Sequence, residues 1–413
     1  MHVRTCLSIT RGDYTVGVVY AIIAFIISIA LILIIAKKSI TLGILIASIF
    51  LGIVTIPPEL LLGYIVDVFS DAEYLMLATA VGLIPIIGGL LDSSGLLTEM
   101  IENFKFSRKS FLIFSPAVIG LLPMPGGALF SAPMVDEATD QITPIRKASI
   151  NQWYRHVFHL IYPLAPALII GSELAGINIY IAIMYIFPAF LISFILGLFL
   201  LLRNVKNGRK NASVNWNKFF KPLLVILLAP FIDITLKNVF NMRYLATLIG
   251  VSASLILLIV FSKVDLKTLL HTSKKAKPWD FFFLILGIFL YQTIFVNSGV
   301  PHILEEVEFS PYVLLIVAGF SLGVLTGRLS TPIVILIPIF TVKFGLMTPL
   351  MFAMLYHASM MGYIISPVHP CLVFTAQYFK EDTKNVIKDL TITDITSLLV
   401  GILLLFLLMP VAT

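Results

Sequence analysis

Two apolar segments of this chain each carry a pair of prolines three residues apart, and no regular helix can run through either. The first reads Tyr162-Pro163-Leu164-Ala165-Pro166-Ala167-Leu168-Ile169, the second Ser366-Pro367-Val368-His369-Pro370-Cys371-Leu372-Val373. Proline lacks a backbone N–H and its ring clashes with the carbonyl four residues back, so each segment must break a helix near its middle. Within a membrane, the backbone groups freed by a break are tolerated only where they line a cavity or are buried in protein. Broken helices at matched positions in two halves are the best sequence pointer to a midplane binding site.

A membrane setting follows from composition. Hydrophobic residues make up 59% of the 413 residues and charged residues 12%, with a mean hydropathy of +1.02. These values lie far from soluble averages, so an all-α polytopic membrane protein in contact with lipid is expected. The pI near 9.1 does not signal nucleic acid, and no such partner is expected, because Lys and Arg fall in short loops between apolar spans. Cys6 and Cys371 supply neither a disulfide framework nor a metal cluster, and Cys371 reads as a packing residue.

With about 20 residues per crossing, helices are expected at 15–36, 42–56, 74–91, 177–202, 222–240, 244–261, 281–296 and 393–409. The proline-broken segments 148–170 and 350–379 bring the total to about ten crossings. The first stretch is longer than a signal-peptide core and should stay as a helix. With residues 1–14 extracytoplasmic, the basic groups at 37–38, 105–109, 146–147, 203–221, 263–277 and 380–388 all fall on the cytoplasmic side. The expectation is a multi-pass protein of the cell membrane with its amino terminus outside.

Two apolar stretches, 110–122 and 311–325, give only about 20 Å of helix against a hydrocarbon core of about 30 Å. One stops at Pro123-Met124-Pro125-Gly126-Gly127 and the other at Thr326-Gly327-Arg328-Leu329-Ser330-Thr331, and each is followed by a second short apolar stretch. Both read as re-entrant hairpins, at 110–140 and 311–342, the first entering from the cytoplasm and the second from outside. Ser94-Gly95 recurs as Ser298-Gly299, and Pro163 and Pro166 recur as Pro367 and Pro370, all at an interval of 204 residues. About five crossings per half turn the second half over. The expected plan is a repeat at 15–202, a basic cytoplasmic linker at 203–221, and an inverted repeat at 222–413.

This order of helices, hairpin, broken helix and final helix, used twice in opposite orientation, resembles the ion-transporter superfamily, which includes divalent-anion/sodium symporters and gluconate and citrate permeases. The run Leu122-Pro123-Met124-Pro125-Gly126-Gly127-Ala128, with Ser131-Ala132-Pro133 after it, resembles an uncharacterised domain-of-unknown-function branch of that group. The resemblance covers roughly residues 16–408 and implies alternating access, by an elevator or rocking motion, and a homodimer. Divalent-anion symporters carry Ser-Asn-Thr at each hairpin tip, where it helps hold sodium. This chain has Pro-Met-Pro-Gly-Gly and Thr-Gly-Arg-Leu-Ser instead, so a sodium site of that kind is not implied.

Half-helix ends at the midplane offer amides to anions and carbonyls to cations. The expected substrate-binding residues are therefore Pro125, Gly126 and Gly127 at the first tip, Thr326, Gly327, Arg328, Ser330 and Thr331 at the second, and Tyr162, Pro163, Ser366, Pro367 and His369 at the breaks. Arg328 is the sharpest of these, because an intramembrane arginine must pair, face water or bind a ligand. The coupling-ion candidates are Arg155, His159, His357, His369 and Asp233, the last reading as the one carboxylate deep in a span. His156 and His159 offer a metal pair in Y-R-H-x-x-H, but no H-E-x-x-H and no acidic base accompany them.

The expectation is secondary active transport of a small, anionic organic solute, coupled to a proton or sodium gradient and without a cofactor. A cation/proton antiporter is the alternative, followed by an intramembrane metal-dependent enzyme or a passive channel. Chemical selectivity is expected mainly in the second half, whose break holds Ser366 and His369 and follows Arg328.

Overall fold

The computed structural model describes residues 11–103, 107–121, 127–206, 208 and 215–408. The first half begins with α1 (Arg11–Ile35), α2 (Ile40–Thr55), the short α3 (Pro58–Ser70) and α4 (Ala72–Ser93). Gly95, at φ +74°, turns the chain into α5 (Leu96–Glu102). A pair of short helices follows, α6 (Arg108–Leu121) and α7 (Gly127–Ala138). Next comes α8 (Pro144–Val157), whose amino terminus is capped by the Thr143 side chain with proline at the first position. One 3-10 turn, Phe158–Leu160, leads to the first break, and α9 (Pro166–Leu174) and α10 (Ile179–Leu201) complete the half.

The second half repeats this order. It comprises α11 (Trp216–Phe240), α12 (Tyr244–Ser262), the amphipathic α13 (Leu266–Ala276) and α14 (Pro278–Asn297). Gly299, at φ +77°, leads into α15 (Val300–Glu306). The paired helices are α16 (Val313–Thr326) and α17 (Ser330–Phe344). Thr348 and Pro349 start α18 (Pro349–Ile364) as Thr143 and Pro144 start α8. Beyond the second break lie α19 (Pro370–Tyr378) and α20 (Thr383–Leu407).

Six of the described helices are long and apolar enough to cross a membrane: α4, α10, α11, α12, α14 and α20. Large apolar side chains such as Ile26, Met184, Phe199, Phe231, Ile256 and Leu403 are exposed on the outside of the bundle. In water such a surface would be a liability, whereas lipid solvates it. Together these features define a multi-pass membrane protein.

Packing runs both within and between the halves. α1 pairs with α2 and α11 with α12, while α4 packs on α12 and α14 on α2. The short helices are exchanged, with α7 against α19 and α17 against α9. α10 lies along α20, where the hydroxyls of Ser193 and Ser397, 204 residues apart in sequence, are 2.6 Å from each other.

Several helices start earlier than hydropathy suggests. α11 begins at Trp216, inside the segment read as linker, because the Asn215 side chain caps it and Pro222 is accommodated within the helix. α20 begins at Thr383 rather than 393, capped by Asp382. Capping is local polar chemistry that a hydropathy window does not register. The helices α3 and α13 fall in stretches expected to be loops, because one is short and the other strongly amphipathic.

Candidate functional site

Both breaks have the structure that their prolines dictate. Pro166 and Pro370 occupy the first position of α9 and α19, where a missing N–H costs nothing. The tip between α16 and α17 docks directly on the second break. Gly327 there has φ +59°, and a Cβ at that position would lie 2.9 Å from the His369 nitrogen. Both facts demand glycine, because the left-handed region and the close approach each exclude a side chain. The Ser366 hydroxyl donates to the Val324 carbonyl at 2.6 Å, and the Thr326 hydroxyl donates to the Leu322 carbonyl at 2.7 Å. Replacement of Gly327 by alanine should cost about 1–2 kcal/mol from backbone strain alone. It should be read as a lowered melting temperature of the purified protein, and an unchanged one would contradict this docking.

Around the breaks, α8 and α18 bring together a group of nitrogen-rich side chains. Gln152 Nε2 donates to the Ile364 carbonyl at 2.9 Å and lies 3.1 Å from His369 Nδ1. His369 Nδ1 is also 3.0 Å from the Tyr363 carbonyl. The ring of Tyr363 stacks on His369 with centroids 4.0 Å apart, and His156 meets His369 edge-on at 4.6 Å. His159 Nε2 donates to the Gly120 carbonyl at 2.6 Å. That contact depends on close packing of α6 against α8, since a Cβ on Gly120 would overlap the Arg155 carbonyl oxygen.

Among the described residues, several buried polar atoms of this group have no hydrogen-bond partner: Asn151 Oδ1, Gln152 Oε1, Arg155 Nη1, Thr331 Oγ1 and His369 Nε2. Buried polar groups are normally satisfied, so this concentration of unpartnered atoms is unusual. No Asp or Glu side chain bonds to the group among the described residues.

A cavity of about 690 Å³ reaches this region. Its inner wall carries His159, Arg328, Ser330 and Tyr363, and its outer wall Lys38 and Lys277. Among the described residues, Asp280 is the one acidic residue lining it. Arg328 is half-buried, and among the described residues its guanidinium has no hydrogen-bond or ion-pair partner.

The residues expected from sequence are thus partly gathered and partly dispersed. Arg328 and Ser330 line the cavity with His159, while Gly327, Ser366 and His369 form the wall behind them. Thr326 and Thr331 flank the tip; Thr331 is fully buried. Tyr162 is buried and Pro163 half-buried in the first break, beside the cavity-lining Ala165. Gly127 opens α7 and Pro367 is exposed, while Pro125 and Gly126 lie outside the described residues. Arg155 sits within the nitrogen-rich group. His357 stands apart, with Nε2 3.0 Å from the Ser397 carbonyl.

Asp233 is already satisfied. It accepts from Tyr180 at 2.6 Å and Thr247 at 2.7 Å and pairs with Lys237 at 3.2 Å. It is also not the one carboxylate deep in a span. Asp394 on α20 is fully buried, and neither of its carboxyl oxygens has a hydrogen-bond partner among the described residues. Sequence reading placed it at the edge of a crossing, because the helix was started ten residues late. Gln152, Asn151 and Tyr363 were also missed. The available signal was the polar run of α8 and the tyrosine near the end of α18, in stretches that flank the prolines.

The fold and the polar site define an all-helical, multi-pass membrane protein with a cavity at two broken helices. The chain belongs to the family described as "Protein of unknown function (DUF401)", whose model matches residues 19–407. Its fold is similar to the crystal structure of the Alcanivorax borkumensis YdaH transporter, with a TM-score of 0.59 over 89% of this chain and 96% of that one. Sequence identity between the two is 15%, so the likeness is one of fold. No curated protein matches the chain.

Proposed function

We propose that this protein is a secondary active transporter that carries a small organic anion by alternating access. The observation that carries this reading is Arg328: a guanidinium with no acidic partner among the described residues, at the inner wall of a large cavity beside two helix breaks. A cation in that position is unfavourable without a counter-charge, and an anionic substrate supplies one. The unpartnered Arg155 Nη1 behind it has the same sign. An antiporter of cations would need a free acid in this group, whereas Asp233 is taken up by Lys237, Tyr180 and Thr247. The transporter-like fold supports the reading, and membership of the ion-transporter superfamily is part of the proposal.

The two halves act as inverted repeats, each with a re-entrant pair (α6–α7, α16–α17) and a broken helix. The matched positive-φ glycines, the matched Thr-Pro starts and the contact between Ser193 and Ser397 support this. The last contact is what a two-fold axis passing between α10 and α20 would produce. The grouping of the loops into two sides is supported by ion pairs between groups assigned to the same side, and the excess of Lys and Arg on one of them makes that side cytoplasmic and puts the amino terminus outside. Arg146 pairs with Asp389 at 2.8 Å and Lys218 with Glu99 at 3.0 Å on the cytoplasmic side, and Arg243 with Glu73 at 3.6 Å outside. Lys38 and Lys277 then make the cavity mouth cytoplasmic. Cysteines replacing these two lysines should react with a membrane-impermeant maleimide from the cytoplasmic side alone, and labelling from outside would invert the topology.

The coupling ion in this reading is a proton carried by Asp394. A buried ionised carboxylate with no partner costs several kcal/mol, so this packing accommodates the neutral acid. Release then requires the other conformation.

A screen of small carboxylates and other anions by thermal shift on the purified protein tests the substrate class. Binding to the folded state at about 100 times Kd adds about 2.7 kcal/mol of stability. A hit lost in Arg328→Ala supports the reading; stabilisation by organic cations alone would overturn it.

A further inference from the structure

We infer that His156, His369 and Cys371 form a binding site for a single d10 transition-metal ion, zinc(II) or copper(I), behind the substrate cavity. One nitrogen of each ring and the cysteine sulfur all lie within 4.8 Å of one another. The site joins the two halves, because His156 is on α8 while His369 and Cys371 flank the start of α19.

Backbone carbonyls set both imidazoles for ligation. His156 Nδ1 is 2.6 Å from the Gln152 carbonyl, and His369 Nδ1 is 3.0 Å from that of Tyr363. A carbonyl can only accept, so His156 Nδ1 carries the proton and its Nε2 holds a lone pair; His369 Nδ1 lies between the Tyr363 carbonyl and the Gln152 amide nitrogen, and donation to the carbonyl leaves its Nε2 with a lone pair. An N–H donated to a backbone carbonyl is the usual outer-shell support of a metal-bound histidine. His369 Nε2 is buried and has no partner among the described residues, the condition expected of a ligand atom without its ion. Cys371 is a free thiol, half-buried and therefore reachable.

The donor set selects the ion. Two imidazoles and one thiolate suit Zn2+ and Cu+, whereas Mg2+ and Ca2+ require oxygen ligands. Around a tetrahedral ion with Zn–N near 2.0 Å and Zn–S near 2.3 Å, ligand atoms lie about 3.5 Å apart. A rotamer-scale movement of about 1 Å closes the site. Binding releases the thiol proton and places one negative charge on sulfur, which offsets that of the ion. Arg155, His159 and Arg328 lie near enough to act on these histidines. The positive charge of Arg155 and Arg328 limits affinity for a dication, so copper(I), which leaves the bound site neutral, gains relative to zinc(II).

A metal bridging α8 and the second break would clamp the halves. The site is testable without any transport assay. In a Cys6→Ser background Cys371 is the only thiol of the chain. The purified protein should retain one zinc or copper ion after metal loading and desalting, measured by inductively coupled plasma mass spectrometry. It should also give a cadmium–thiolate ultraviolet band on titration with Cd2+. His369→Gln and Cys371→Ser should each lower retention at least tenfold while eluting as folded protein on size exclusion. Zinc should protect Cys371 from maleimide in the parent protein, which keeps the test decisive should either variant misfold. Equal retention in folded variants, or labelling of Cys371 unaffected by metal, would overturn the site.

Discussion

Arg328→Ala should reduce anion uptake into proteoliposomes by about 10- to 100-fold, with little change in the yield of folded protein. The magnitude follows from the loss of a hydrogen-bonded contact to a charged group, worth about 1.5–3 kcal/mol, where each 1.4 kcal/mol is about tenfold. Folding should survive because, among the described residues, the guanidinium has no acidic partner and makes no ion pair that its removal would break. Arg328→Lys keeps the charge and loses the planar fork, so it should recover only part of the activity toward a carboxylate. Uptake by Arg328→Ala equal to the parent's would remove the anion reading in which Arg328 holds the substrate.

Asp394→Asn should separate driving force from binding. The amide is nearly isosteric with the neutral acid, so the fold and substrate-induced stabilisation should be kept. Accumulation driven by an imposed pH gradient should disappear, leaving exchange of labelled for unlabelled substrate across the membrane. Asp394→Leu should be as stable as the parent or more so, since removing an unsatisfied buried polar group is often neutral or stabilising. The groups around Asp394 are consistent with an isolated carrier. His357 on α18 bonds to the Ser397 carbonyl, Ser193 on α10 bonds to Ser397, and the Arg146–Asp389 pair lies nearer the start of α20. Intact proton-driven accumulation by Asp394→Asn would move coupling elsewhere, and a strict sodium requirement would assign it to a different ion.

What was legible in the sequence was what local backbone chemistry decides. The four prolines dictated two breaks, and Gly95, Gly299 and the prolines shared one register. Arg328 stood out because a lone charge in an apolar run has few structural explanations. The site itself was less legible, because it is made between halves. His156 and His369 are far apart in sequence and meet only when α8 packs beside the second break. No periodicity within either segment encodes that contact. Asp394 was hidden by the opposite problem, a hydropathy window that trims a polar helix start and so moves a mid-helix acid to the membrane edge. Its position, eleven residues into α20, comes from the cap at Asp382.

Accumulation of a labelled small anion in proteoliposomes, with and without an inwardly directed proton gradient, tests the central claim most directly. Uptake above the equilibrium level with the gradient, collapsing to equilibration when a protonophore is added, is the result predicted for a proton-coupled alternating-access carrier. Uptake that reaches only equilibration whatever the gradient, and does not depend on Arg328, would contradict it.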